Sequence, residues 1–441
     1  MFLVLMMLVA LLLAGCAGDQ AAPGLPVTPG PASVVSVDPG ELPAEVTGVR
    51  YTGFDEHGRV VLGPLTLDRQ PQRLEADPRL VTLQLETLDQ AGRVQHDFVT
   101  GLEPPATIQS PALVPAQSQD PTAFSFVFFG CNRLGSSEVT SANPSTANLG
   151  QLEQDMTDIL SLPHHPGWLF FLGDLVLNEE PGSAPLQSQL SAWVSVYQAG
   201  PLATSDVQLC PITGNHEILV QTGKTEATEL PNPATLPVWL SLMAPYIRGS
   251  NGPTTAAPNP DGLTYDQSQL SYTFQEGPVA FMMLNTDTFI DATTNSDIPL
   301  NWITDQLQAL QADSSVEHIF VMGHRPITSP DEGNLGIRPQ EAPQFKKLLE
   351  DTPKVRAYLC AHAHLWESSK LGKLPQIISG NAGSPLEHKY KKKKHANYGF
   401  TQVHIHKSGK VHVEAYGRPV PNPYAAPPPQ PKATLREKFK L

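Results

Sequence analysis

Thr213-Gly214-Asn215-His216-Glu217 follows a short apolar run from Val207 to Ile212, so it falls where a buried strand gives way to a loop. Layered α/β proteins keep their chemistry at such places. A lone Gly-Asn-His is also an ordinary tight turn with an exposed histidine. Three further stretches share the layout of an apolar run followed at once by metal-ligand chemistry. Trp168 to Leu172 ends in Gly173-Asp174, His318 to Met322 ends in Gly323-His324-Arg325-Pro326, and Val355 to Cys360 ends in Ala361-His362-Ala363-His364. Carboxylate, amide and imidazole groups from several strand ends can converge on one metal centre.

These blocks, in this order, resemble the calcineurin-like metallophosphoesterases, and within them the branch that includes the purple acid phosphatases. The family order is an Asp block, Gly-Asp, Gly-Asn-His-Asp/Glu, a histidine block and Gly-His-x-His, and all but the first are matched between about Ala123 and Gly417. The resemblance implies that Asp174 is a carboxylate bridging two metals, supplying an oxygen to each of two cations that share a hydroxide. It implies Asn215, through its side-chain oxygen, with His324 and His362 on the second metal, and His364 on the first. His216 is then the group that protonates the leaving group or steadies the transition state, its tautomer set by a neighbouring carboxylate.

The first block departs from the family, which has an Asp there and often a His two residues later. Here the stretch is Gly130-Cys131-Asn132-Arg133. Either Cys131 or Asn132 stands in the Asp position, and Arg133 or Leu134 in the His position. A thiolate can hold zinc or iron, and an amide oxygen is a weak neutral ligand. Arg133 cannot ligate a metal, but its fixed cation can clamp phosphate. Three states of the site stay open: Cys131 completes a two-metal centre, the second metal works alone beside Arg133, or the site is inert. Ala361 in place of the family's Gly adds one methyl group.

The elements that must position these residues are legible as patterns. Phe124 to Phe129 reads as a buried strand opening the catalytic region. Leu149, Leu152, Met156, Ile159 and Leu160 share one helical face, as do Leu186, Leu190, Trp193, Val194 and Tyr197, and then Ile303, Leu307 and Leu310. Strands alternating with helices predict layered α/β. By resemblance this is the metallophosphoesterase fold, two packed mixed sheets flanked by helices, over 123–417. Residues 225–261 and 287–299 read as long loops; in the family such insertions overlie the metals and shape substrate choice. Two more strands are expected around Val403 and Val411.

Upstream, 33–108 reads as a small all-β sandwich of immunoglobulin or fibronectin kind, with turns at Asp55 to Val60 and Asp89 to Val94 that signal hairpins. Residues 109–122 form a Pro-rich linker. Phe2 to Leu13 is an apolar run of signal-peptide length closing with Leu13-Ala14-Gly15-Cys16, which resembles a bacterial lipobox. The implied reading is a 1–16 signal peptide, lipidation at Cys16 and a flexible 17–32 tether. No Lys or Arg precedes the run, so a short membrane helix or an unlipidated signal is the alternative. The tail 418–441 is Pro-rich and expected to be loosely ordered, and the basic run of Lys389 with Lys391 to Lys394 reads as a solvated loop.

The 441 residues suffice for an enzyme domain and a smaller one. A formal charge of −14, from 29 Lys plus Arg against 43 Asp plus Glu, argues against a nucleic-acid-coating role. Beyond Cys16, Cys131, Cys210 and Cys360 form no evident disulfide framework, and the last two read as buried small hydrophobes. The sequence therefore predicts a lipid-anchored, extracytoplasmic protein of the bacterial envelope that hydrolyses a phosphate-ester substrate through metal-activated water. One or two ions of zinc, manganese or iron would serve it, with Arg133 or Arg325 neutralising developing charge. The alternative is a non-catalytic surface lipoprotein using the fold for binding or scaffolding. The substrate and the oligomeric state have no motif.

Overall fold

The computed structural model describes the strands between residues 33 and 101, then residues 122–223, 228–291, 293–330, 336–386, 397–418 and 431–441. The expected signal peptide with Cys16, the tether, most of the linker and the Lys389 to Lys394 run lie outside the described residues. The chain divides into two compact units, Met1–Gln117 and Ser118–Leu441.

In the first unit β1 (Ser33–Val37), β2 (Gly48–Phe54), β3 (Val60–Leu67), β4 (Gln72–Ala76), β5 (Thr82–Leu88) and β6 (Val94–Gly101) are all antiparallel in their pairing. They form a two-stranded sheet, β1-β4, and a four-stranded sheet, β3-β2-β5-β6. β2 pairs with β3 and β5 with β6 antiparallel on either side of the two expected turns, whose own residues lie outside the described residues.

The second unit runs β7 (Thr122–Phe129), α1 (Leu149–Leu160), β8 (Trp168–Leu172), α2 (Ala184–Ala199), β9 (Gln208–Ile212), α3 (Asn215–Ile218), β10 (Leu219–Gln221), β11 (Glu229–Pro231), α4 (Leu236–Met243), β12 (Tyr272–Glu276) and β13 (Val279–Leu284). It continues with α5 (Leu300–Ala312), β14 (His318–Gly323), α6 (Ala342–Glu350), β15 (Val355–Cys360), β16 (Trp366–Leu371), β17 (Leu374–Ser379), β18 (Tyr398–His406), β19 (Val411–Arg418) and β20 (Thr434–Lys440). Two mixed six-stranded sheets result, ordered β20-β19-β18-β7-β8-β9 and β12-β13-β14-β15-β17-β16. β7, β8 and β9 are parallel, as are β13, β14, β15 and β17.

Strands covered on both faces read as near-continuous apolar runs, and that is why β7, β8 and β14 were visible in the sequence; β13 carries the same pattern but was not picked out. Their period of two still sorts the side chains. Phe126 and Phe128 of β7 meet Phe170, Phe281 and Phe320 in a core between the sheets, with Phe126 edge-on to Phe281 at 5.3 Å and to Phe320 at 5.0 Å. Val127 and Phe129 face the other way, onto Leu152, Met156 and Trp193 of α1 and α2. On the far side, Met282 and Val321 pack on Ile303, Leu307 and Phe345 of α5 and α6. Each fully buried aromatic or aliphatic side chain contributes about 1.5–3 kcal/mol by transfer from water. The order of layers is helix, sheet, sheet, helix, the expected fold.

Two sequence expectations need correction. The 225–261 stretch is not merely loop, because β11 pairs with β10 and α4 buries Trp239 and Met243 against the helical side of the first sheet. An eight-residue helix entered through a proline is too short for periodicity to reveal. Nor is the tail loose throughout: β20 pairs antiparallel with β19 as an edge strand. Its Lys, Arg and Glu residues suit an edge that must not recruit another chain. The 287–299 stretch carries no helix or strand among the described residues.

Candidate metal centre

The blocks singled out in the sequence come together at the carboxyl ends of five parallel strands, three from one sheet and two from the other. Cys131 follows β7, Asp174 follows β8, and Asn215 and His216 follow β9; His324 follows β14, and His362 follows β15. Cys131, Asp174 and His362 adopt left-handed backbone with φ of 63°, 57° and 65°. Non-glycine residues held there signal strain that the surroundings over-determine, and they cluster at functional sites. The backbone ties the turns together. Cys131 N–H donates to Gly173 O at 3.0 Å, Asn132 N–H to Asp174 O at 2.9 Å, and Ala361 N–H to His324 O at 3.0 Å.

His324 is the hub. Its Nδ1 lies 2.6 Å from Leu172 O, which leaves Nε2 facing Asp174 Oδ1 at 3.2 Å, Asn215 Oδ1 at 3.0 Å and His362 Nδ1 at 3.0 Å. Cys131 Sγ joins from below, accepting the His362 backbone N–H at 3.1 Å, and its ligand atom lies within 4.8 Å of those of Asp174 and His324. Close backbone approach makes room for this. A Cβ on Gly214 would stand 2.3 Å from Asp174 Oδ1, and one on Gly173 2.6 Å from His324 Nδ1.

His216 and His364 flank the hub. His216 Nδ1 is fixed by Leu177 O at 2.5 Å and His364 Nδ1 by Pro385 O at 2.8 Å. Asn132, the other candidate for the missing Asp, makes no side-chain hydrogen bond to the hub, and its Oδ1 is buried without a partner. Its Nδ2 donates to Ala382 O at 2.7 Å and Asn148 O at 3.2 Å, so it fastens a neighbouring loop. Arg133 brings its Nε to 3.9 Å from Asp174 Oδ2; that nitrogen is buried without a hydrogen-bond partner, while the side chain as a whole is 18% exposed.

The electrostatics follow from burial and this crowding. Burial alone would raise the Asp174 carboxyl, but the charges of His324, His216 and Arg133 hold it well below the usual carboxylate range. Burial opposes a charge on His324, and the Asp174 carboxylate outweighs it, raising the imidazole. Burial and then Arg133 hold His216 and His364 down to about 3. Burial and then Asp174 push the Cys131 thiol well up.

Three carboxylates here escaped the sequence reading as members of the site. Glu217 accepts four backbone N–H groups, those of Gly214 at 2.7 Å, Asp174 at 2.9 Å, Leu175 at 2.7 Å and Val176 at 3.2 Å, so it clamps the β8 and β9 turns together. Its spacing three residues after Gly214 was the available signal. Glu229 takes Asn215 Nδ2 at 2.7 Å on one oxygen and Arg325 Nη2 at 3.0 Å on the other. Asp287 receives Arg325 Nε at 3.1 Å on both oxygens. Glu229 and Asp287 lie in the two stretches read as long insertions; no local pattern marks Glu229, whereas Asp287 follows the apolar run of β13 by three residues. Arg325 is thus wholly buried as an ion-pair partner, not set out toward solvent as a free clamp.

The donor set suits a metal. A carboxylate, two imidazoles, an amide oxygen and a sulfur converge, and outer acceptors orient two of them, Leu172 O the His324 ring and Glu229 the Asn215 amide, the usual arrangement around a bound cation. Among the described His, Cys, Asp and Glu residues, Cys131, Asp174 and His324 form a group whose ligand atoms all lie within 4.8 Å of one another.

Layered sheets with carboxylate, amide and imidazole at the strand ends define a metal-centre α/β protein of phosphoesterase type. The profile described as calcineurin-like phosphoesterase matches residues 146–365. The chain belongs to the calcineurin-like metallophosphoesterase superfamily. Similar solved structures include a purple acid phosphatase from yellow lupin (Lupinus luteus) seeds, at 15% identity and TM-score 0.48 over 87% of this chain and 69% of that one. Another is a dimetal phosphatase from Danio rerio, at 12% and 0.41 over 68% and 97%. A third is GAP50, the anchor in the inner membrane complex of Plasmodium, at 16% and 0.43 over 67% and 84%. No curated protein matches the sequence. Among the described residues no helix is long and apolar enough to cross a membrane.

Proposed function

We propose that this chain is a metal-dependent phosphoesterase that works outside the cytoplasm on a lipid anchor at Cys16. The observation that carries the reading is the convergence of Asp174 Oδ1, Asn215 Oδ1 and His362 Nδ1 within 3.2 Å of His324 Nε2, beside the fixed imidazole of His216. Asp174, Asn215, His324 and His362 would hold metal, and His364 stands at the edge of the set. Bound there, a cation supplies Lewis-acid charge and lowers the pKa of a coordinated water. The chain's own groups do the rest. Arg133, at the partly exposed edge, binds the phosphoryl oxygens of the ester. His216, anchored through Nδ1 by Leu177 O, presents its other ring nitrogen for proton transfer or charge stabilisation. Glu229 and Glu217 keep Asn215 and the Gly-Asp turn from moving during the reaction.

The placement is supported by the Leu13-Ala14-Gly15-Cys16 sequence, and the acidic surface fits a protein free of nucleic acid. A second reading, a surface lipoprotein that binds without turnover, is favoured by one observation, the Cys131-Asn132-Arg133 departure. Hydrolysis of p-nitrophenyl phosphate by the wild type and by His216→Ala and Asp174→Asn separates the two. Loss in both variants by roughly 10²-fold or more supports the enzyme; equal traces in all three proteins would sink it.

A further inference from the structure

We propose that the centre holds a single thiophilic divalent cation, with Cys131 Sγ joining Asp174 and His324 of the ligand set above, and the Arg133 guanidinium standing as a fixed cation beside the second Asp174 oxygen. This deepens the metal-dependent reading above and rests on it only for the presence of a metal.

The sulfur is placed for the purpose. Left-handed backbone at Cys131, φ 63°, turns a side chain inward directly after β7, and the His362 backbone N–H donates to Sγ at 3.1 Å. Such a bond favours the sulfur as an electron-pair donor. Sγ, a carboxylate oxygen of Asp174 and a ring nitrogen of His324 already lie within 4.8 Å of one another. Metal bonds of about 2.0–2.3 Å set ligand separations of roughly 3.3–3.8 Å, so small rotamer adjustments suffice. The Asn132 amide is held through Nδ2 by the Ala382 and Asn148 carbonyls, and its Oδ1 is buried without a partner; the sulfur of Cys131 is the atom that clusters with Asp174 and His324.

Arg133 decides the number of ions. A carboxylate bridging two metals needs one oxygen for each. Here Asp174 Oδ1 faces His324, while Oδ2 faces the Arg133 Nε at 3.9 Å. A second divalent ion on Oδ2 would share that oxygen's surroundings with a charge that cannot be discharged. The Nε, buried and unpartnered, is at the same time a donor left over for a substrate oxyanion. Soft sulfur with imidazole and carboxylate selects zinc, or cobalt as its spectroscopic substitute, over manganese. Binding releases the thiol proton to solvent.

The test uses the full chain in detergent micelles, stripped with chelator and titrated with Co²⁺, followed by near-ultraviolet absorption and elemental analysis. The expected result is one equivalent per chain with a thiolate-to-cobalt charge-transfer band, absent in Cys131→Ser and present in Cys210→Ser. Arg133→His is expected to take up a second equivalent. Two equivalents in the wild type, no such band, or a band that survives Cys131→Ser would overturn the proposal, and the first two need no variant to fold. An Arg133→His protein that still binds one equivalent would overturn the part given to Arg133. Absence of hydrolysis with these signatures intact would remove the phosphoesterase reading and leave this one standing.

Discussion

Arg325 Nη1 lies 3.1 Å from His362 Nε2, so a wholly buried cation is held against one of the imidazoles that line the centre. The same guanidinium meets Asp287 through Nε and Glu229 through Nη2. Replacing it with Met would leave two buried carboxylates uncompensated, which costs about 3–5 kcal/mol. Arg325→Met is therefore expected to lower stability by that amount in urea unfolding, with Arg325→Lys in between because a point charge cannot make the fork. A loss under about 1 kcal/mol would mean the network contributes little to folding.

Glu229 touches no reacting group in this arrangement, yet it sets the amide of Asn215, with Oε1 2.7 Å from Nδ2. Freed from it, Asn215 can turn its nitrogen toward the cation. Glu229→Ala is expected to weaken metal binding roughly 10–100-fold, the usual effect of losing an outer partner. Competition with a chelating dye measures this; unchanged affinity would mean that Asn215 is positioned by other contacts or is not a ligand.

Ala361 stands where the family carries glycine, and its methyl group has a place because position 130 is glycine. A Cβ on Gly130 would come 2.8 Å from Ala361 Cβ and 2.9 Å from Leu172 O. Gly130→Ala should cost about 1–3 kcal/mol as overpacking. Ala361→Gly in the same protein is expected to restore part of it, a coupling that a double-mutant cycle reads directly. Additive losses would show that the carbonyl, not the methyl, is the obstacle.

Glu414 supplies a pH dependence remote from the centre. Burial works against its charge, but the bonds from Lys438 Nζ at 2.6 Å and Tyr416 Oη at 2.7 Å hold the carboxyl down to about 2. A carboxyl lowered in the folded state adds stability that is full above its unfolded value of about 4.3 and lost as pH falls toward 2. Thermal melts between pH 5 and pH 2 should therefore show a shallower acid decline in Glu414→Gln than in the wild type. Parallel curves would place the acid sensitivity elsewhere.

The sequence made the strand ends visible because their strands are buried on both faces, so apolar runs and the polar residues after them stand in sharp contrast. Asp174, Asn215, His324 and His362 all lie at such boundaries. Asp287 does too, three residues past the apolar run of β13, which the sequence reading passed over. Glu229 does not; its place depends on the β10–β11 ladder, on α4 and on Arg325 reaching across from the other sheet. That information is tertiary and leaves no mark on neighbouring residues. The choice between Cys131 and Asn132 was likewise open in one dimension, since a shift of one residue turns a side chain to the opposite side. The left-handed turn after β7 brings the Cys131 sulfur to within 4.8 Å of ligand atoms of Asp174 and His324.

Three of the left-handed non-glycine residues, Cys131, Asp174 and His362, lie in the centre and bear on how such a chain responds to selection. Each holds a conformation that glycine would accept freely and that costs an L-residue about 1–2 kcal/mol. A library screened only for heat resistance should drift to glycine at these positions, erasing the centre while the fold improves. A screen that also demanded a bound cation would hold all three. These are the positions that stabilisation of this protein by glycine substitution has to leave alone.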